Sequence, residues 1–218
     1  MSRREIKLIV AGLVNVIAFA VWTLMIKTID VKPVGINGTE VGFSTFNVWF
    51  HSITGVNMNL YCVTDWLGLV PVFVCLLFGF IGFIQMIKRK SICKVDVDII
   101  CLGVYYVIVV ASYLIFEIIP INYRPILING YLEASYPSST TLLVLSVMPT
   151  LVFQTKRRIK NIKVKRVVLI ISKLFSLFMF IGRIVSGVHW ITDMIGSVFL
   201  CLGLFITYKG VVLLLERK

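Results

Sequence analysis

Three side chains in one short stretch could do chemistry together. The stretch reads G-R-I-V-S-G-V-H-W-I-T-D, from Gly182 to Asp193, and holds Arg183, His189 and Asp193. His189 and Asp193 are four residues apart, so a helix would put them on one face, with the carboxylate in reach of the imidazole. Arg183 precedes the histidine by six residues, the distance of a separate turn or helix end. An imidazole anchored by a carboxylate, with a guanidinium beside it, suits work on an anionic group. The same residues also fit a membrane-interface cluster, with Arg183 and His189 at a helix mouth, Trp190 in an aromatic belt and Asp193 capping the next helix.

The elements that must position them are apolar. Of 218 residues, 59% are hydrophobic and 15% charged, and the mean hydropathy is +0.97. Such a chain is too apolar for a soluble domain of this length and has several runs long enough to cross a bilayer. One membrane domain, residues 1–218, accounts for it. The net charge of +12 does not point to nucleic acid, because the basic residues fall in short loops between apolar runs, where orientation and anionic lipid explain them. The bilayer is the expected partner, and no oligomeric state is legible. Five cysteines form no C-x-x-C pair, and the three in apolar spans, Cys75, Cys101 and Cys201, read as small hydrophobes. The apolar run behind M-S-R-R-E-I-K reads as a retained first helix and not as a cleaved signal.

Six spans are predicted, at about 8–26, 66–87, 99–119, 138–155, 167–184 and 191–215. The fold class is therefore an all-α integral membrane bundle of six helices. S-T-F-N-V-W-F-H-S-I-T-G, starting at Ser44, adds a short interfacial helix between the first two, with His51 on it. Lys173, inside the fifth span, is expected to snorkel toward the basic loop. Arg3, Arg4, Lys7, Lys88–Lys90, Lys94, the basic run from Lys156 to Arg166, and Arg217 and Lys218 all fall on the side of the termini. The positive-inside rule makes that side cytoplasmic in a multi-pass cell-membrane protein. The Gly182–Asp193 stretch then lies extracytoplasmic.

Two further segments reach that outer face. One is Y-R-P, with Arg124. The other is Y-P-S-S-T-T, where Pro137 and Ser138 read as a helix start with Ser138 as N-cap. Free N–H groups there, aligned with the helix dipole, form an anion site. Two arginines can clamp a phosphate there, and an anchored His189 can attack phosphorus, with Asp193 fixing its tautomer. No metal or other cofactor is called for.

These residues resemble the type-2 phosphatidic acid phosphatase (lipid phosphate phosphatase) and vanadium haloperoxidase superfamily, over about residues 60–210. The family motifs read Lys-x6-Arg-Pro, Pro-Ser-Gly-His and Ser-Arg-x5-His-x3-Asp. Arg183, His189 and Asp193 keep the third spacing, Arg124-Pro125 the first, and Pro137-Ser138 the second. The resemblance implies a nucleophile at His189 that forms a phosphohistidine and an orienting carboxylate at Asp193. It implies phosphate contacts from Arg124, Ser138, Ser139 and Arg183. Four positions depart from the pattern. Glu117 stands at the first-motif lysine and Thr140 at the second-motif histidine, the usual general acid. Ser139 replaces the glycine and Gly182 the serine. The implied activity is metal-independent hydrolysis of a lipid phosphate or pyrophosphate. With the acid gone, three catalytic versions stay open: a substrate with a good leaving group, a proton from Glu117 or His51, or transfer of a head group whose cation faces Glu117. A degenerate member that binds lipid phosphate without turnover is the fourth. A salt bridge from Glu117 to Arg124 is the expected structural role for that acid.

Overall fold

A computed structural model describes residues 3–216; the terminal Arg217 and Lys218, counted above with the basic side, lie outside them. The elements are α1 (Arg3–Thr28), α2 (Ser44–Thr54), α3 (Met58–Leu67), α4 (Leu69–Arg89), α5 (Val97–Ile118), α6 (Ser139–Arg158), α7 (Ile162–Val185) and α8 (Ile191–Leu215). The chain is an all-helical bundle. Among the described residues, five helical runs are long and apolar enough to cross a membrane: α1, the joined Met58–Arg89 run, α5, α7 and α8.

The fourth expected span, α6, does not qualify on composition. It carries Ser146, Thr150, Gln154 and Thr155, all buried. It packs against α4, α5, α7 and α8, so its polar atoms face protein and not lipid. Thr150 bonds the Tyr106 hydroxyl at 2.7 Å, and Gln154 donates to Tyr208 at 3.0 Å. A helix wrapped by protein needs no apolar surface, which is why its sequence reads differently from its neighbours'.

The second span begins earlier than expected, at Met58 instead of about 66. Asn57 caps it by accepting from Leu60 N at 3.0 Å. Its first two turns carry Tyr61, Thr64 and Asp65, polar enough to hide the helix from a hydropathy reading. Pro71 lies in the first turn of α4, where its missing N–H costs no bond. The short interfacial helix appears as α2, with its aromatics outward: Phe46, Trp49 and Ile53 are exposed, while Ser44 and Asn47 are buried.

Asn47 ties α2 to the start of α8. It donates to Thr192 Oγ1 at 2.9 Å and accepts from Thr192 N at 3.3 Å. Trp22 of α1 donates to Thr192 O at 3.0 Å. Further along, α1 and α8 meet through glycines. A Cβ on Gly203 would stand 2.9 Å from Val16 N, and one on Gly12 2.7 Å from Thr207 N. Small residues permit such close approach, and close approach is what holds membrane helices together.

Gly203→Leu should therefore separate α1 from α8. The expected result is a fall in thermal midpoint in detergent corresponding to about 1–3 kcal/mol, with Gly79→Ala, whose Cβ would meet open space, close to wild type.

Candidate functional site

The loop between α5 and α6 builds one wall of the site. Asn129 and Gly130 both take positive φ (51° and 84°), and Ile128 and Tyr131 exchange backbone hydrogen bonds across them. Asn-Gly at a two-residue turn is a strong short-range hairpin signal. The hairpin sets Arg124 N on Glu133 O at 3.1 Å and Ser135 N on Asn122 O at 2.9 Å. Beyond it Tyr136 locks the loop to the bundle. Its hydroxyl is 2.7 Å from Thr23 Oγ1, its ring stacks on Phe19, and a Cβ at Gly196 would collide with it at 2.4 Å.

His189 does not share a helix with Asp193. It lies in the turn before α8, and Asp193 sits in the first turn of that helix. Tertiary contacts link them. The Asp193 carboxylate accepts from Ser135 Oγ, from Asn122 Nδ2 at 3.0 Å and from Trp190 N at 3.0 Å. It thus caps α8 and at the same time holds the hairpin. The Ser135 hydroxyl, its proton given to Asp193, stands 3.1 Å from His189 Nδ1. Nδ1 is also 3.0 Å from the Ser135 carbonyl. Both partners at Nδ1 are acceptors, so the ring proton sits there and the lone pair is on Nε2. The carboxylate orients the imidazole through Ser135 and not by the direct contact that a four-residue spacing predicts.

Arg183 Nη2 stands 3.4 Å from that Nε2. Arg183 is fully buried. Its partners come from α3: Thr64 Oγ1 at 3.5 Å, the Asp65 carboxylate at 3.6 Å, and the Tyr61 ring with its centroid 4.8 Å away. Gly182 allows this, since a Cβ there would press Thr64 Cγ2 at 2.8 Å. Arg124 also lies over the Tyr61 ring, 5.7 Å from its centroid. The carboxylate that Arg124 meets belongs to Glu133, 3.1 Å from Nε, and not to Glu117 as expected. Arg124 Nη1 and Arg183 Nε are buried without a hydrogen-bond partner. Two buried guanidiniums with spare donors suit an anion.

A cavity of about 170 Å³ joins four of the eight predicted residues. His189, Arg124, Glu117 and Ser139 line it, with Glu133 and Tyr113. Ser138 does not. It is buried, and its hydroxyl donates to Thr141 Oγ1 at 3.0 Å; it holds the N-cap position of α6 without a side-chain cap bond. Thr140 lines a neighbouring apolar cavity of about 360 Å³, together with Asp65 and Leu69, and Ser139 and Tyr113 border both cavities. His51 is elsewhere. Its Nε2 is 3.0 Å from Gly187 O and its ring lies against Trp190, so it buttresses the turn that carries His189.

His189, Ser139 at the α6 start and the hairpin arginine Arg124 thus line one pocket, with Arg183 and Asp193 buried behind it and reaching it through their contacts to His189 and Ser135. The PAP2 superfamily model matches residues 112–215, the segment that supplies all of these groups. Residues 112–215 belong to the PAP2 superfamily. Tyr61, Thr64 and Asp65 come from outside the PAP2 segment, on α3. The chain also superposes on the crystal structure of the first transmembrane PAP2 type phosphatidylglycerolphosphate phosphatase from Bacillus subtilis. The TM-score is 0.65 over 94% of this chain and 98% of that one, at 20% identity, a likeness of fold. No curated protein matches the sequence.

Reading by spacing alone missed Ser135, Asn122, Glu133 and Tyr61. The first three had a signal in Asn129-Gly130, which pairs the two sides of the hairpin. Tyr61 had none, because its contact depends on how α3 crosses α7.

Burial, then the positive charges of Arg124 and Arg183, hold the His189 imidazole well below its ordinary pKa. The folded protein keeps it neutral where the unfolded chain, below about pH 6.5, takes up a proton. Stability contributed by this group is therefore full above that range and falls as pH drops through it. The thermal midpoint of wild type should fall more steeply between pH 7.5 and 5 than that of His189→Gln; parallel curves would show that His189 titrates normally.

Proposed function

We propose that this protein hydrolyses a lipid phosphate or lipid pyrophosphate through a phosphohistidine at His189, without a metal, at the extracytoplasmic membrane boundary. The observation that carries the reading is the Nε2 lone pair of a tautomer-locked imidazole, set beside two buried arginines with unused donors. Phosphate in the cavity would meet Arg124 and the N-terminus of α6 at Ser139, with Arg183 adding its charge from beside His189 Nε2. The Nε2 lone pair forms the N–P bond as the ester or anhydride P–O bond breaks. The arginines stabilise the charge that spreads over the remaining oxygens. Water then attacks the phosphohistidine, phosphate leaves, and Nε2 regains its lone pair. Asp193 acts through Ser135, stabilising the Nδ1–H tautomer throughout.

The departing oxygen needs a proton or a low basicity. Thr140, at the family's acid position, lines the apolar cavity, where it contacts the leaving lipid and cannot supply a proton efficiently. Glu117 lines the phosphate cavity itself and is placed to give one. A pyrophosphate needs none. The apolar cavity between α3, α4, α5 and α6 leads from the site toward lipid and suits an acyl or isoprenoid chain.

A second reading rests on Glu117 and Glu133, which both line the cavity near Tyr113 and Phe116. Two carboxylates and two aromatic rings suit a cationic head group, and the protein would then transfer a phosphate-bearing group instead of releasing phosphate.

Purified protein in detergent with a chelator should release inorganic phosphate from phosphatidate, phosphatidylglycerol phosphate or an isoprenoid pyrophosphate. His189→Ala should lower that release at least about 10³-fold and form no acid-labile phosphoenzyme. A new phospholipid product in place of free phosphate decides for transfer. Equal silence of both proteins across the panel leaves only lipid-phosphate binding. For orientation, cysteines placed at the exposed Leu127 and Tyr131 in a cysteine-free background should react with an impermeant maleimide added outside intact cells. Labelling only after permeabilisation would reverse the orientation.

A further inference from the structure

A second cavity lies at the other end of the bundle. It is enclosed by α6, α7 and α8 and measures about 490 Å³. One lysine from each helix lines it: Lys156, Lys173 and Lys209. The remaining wall is largely apolar, with Met148, Val152 and Phe205, and no lining residue is acidic.

Its position is unusual for lysine. Lys156 stands near the basic end of α6, as expected. Lys209 is six residues before the last residue of α8, and Lys173 is eleven residues after the first residue of α7. At 1.5 Å per residue, Lys173 lies roughly 16 Å into the helix, near the middle of a candidate span. A lysine at that depth is costly in hydrocarbon and is retained where it faces a polar cavity or a partner. Snorkelling alone takes an ammonium outward along lipid. Here one lysine from each of three helices lines the same concavity.

The acids of this end are already engaged. Arg158 holds Asp98 at 2.8 Å and Asp96 at 3.1 Å, Arg89 holds Asp96 at 2.8 Å, and Arg157 pairs with Glu216. None of the three lysines shares in these pairs. The cavity thus has about three positive charges, apolar walls and no internal counter-ion.

We propose that this cavity is a binding site for an anionic phospholipid, separate from the His189 site. The phosphate would sit among Lys156, Lys173 and Lys209, and an acyl chain would run along Met148, Val152 and Phe205. Basic pockets between membrane helices take anionic head groups in this way. Pro149, inside α6 and on the cavity wall, removes a backbone N–H and the ring lies where the chain passes. A zwitterionic lipid brings its own cation and loses the advantage, so the site selects for net negative charge.

The test uses the full chain in detergent and reads bound lipid by native mass spectrometry and the thermal midpoint by tryptophan fluorescence. Phosphatidylglycerol should be retained and raise the midpoint; phosphatidylcholine should do neither. Lys173→Gln and Lys209→Gln should each weaken phosphatidylglycerol retention about fivefold. The Lys156→Gln/Lys173→Gln/Lys209→Gln variant should abolish it, with any phosphate release at the His189 site unchanged. Lys173→Arg/Lys209→Arg keeps the charge and should keep the lipid, which separates binding from misfolding if the glutamine variants are unstable. Equal retention by wild type and the glutamine variants overturns the proposal. So does equal retention of phosphatidylcholine, or an equal midpoint rise from inorganic phosphate alone, which would make the site one for a small anion.

Discussion

Asp193 is the carboxylate on which the site depends. It is buried and takes three donors from three places in the chain: Ser135 and Asn122 on the two sides of the hairpin, and the Trp190 amide at the start of α8. A buried carboxylate is tolerable only when its acceptor positions are filled. That requirement couples the hairpin to the helix. If the hairpin shifts, Asp193 loses donors. If α8 shifts, Ser135 loses the acceptor that fixes its hydroxyl, and His189 loses the reason for its tautomer.

The second constraint is the burial of two arginines beside one histidine. Arg183 is enclosed by α3, and Arg124 is held by Glu133 and the Tyr61 ring. Like charges so close repel, and neither guanidinium has all of its donors filled. The fold bears this cost because α3, α7 and α8 are held elsewhere by glycine seams and by the Asn47 and Trp22 bonds to Thr192. The site is strained toward an anion, and the same field keeps His189 neutral. Electrostatic preorganisation of this kind is the main resource of phosphoryl-transfer sites.

The arginines at the two ends of the bundle are treated differently. At the basic end, arginines find aspartates and close α5, α6 and α8 together through Asp98 and Glu216. At the site end, positive charge is left partly unanswered. Structural pairing consumes charge, while a site for an anion must leave it available.

Much of this was legible in the sequence. Composition alone required helices in a bilayer, because backbone groups in hydrocarbon must be satisfied within each span. The order Arg124, Pro137–Ser138, Arg183, His189 and Asp193 carried the resemblance, since motif spacing is local. Other features were not local. α6 is polar because the bundle encloses it, and α3 is helical well before the apolar run because Thr64 and Asp65 face Arg183. The His189–Asp193 relation was read as helical spacing, yet His189 lies before the helix and Ser135, fifty-four residues earlier, makes the link. Glu117 was paired with Arg124 on charge and proximity in sequence, whereas the hairpin delivers Glu133 instead. Residue types and their order determined which chemistry the chain carries. Only the tertiary structure decided which groups touch, because hydrogen-bond partners here come from hairpin register and helix crossing, and neither is written in any single stretch of the sequence.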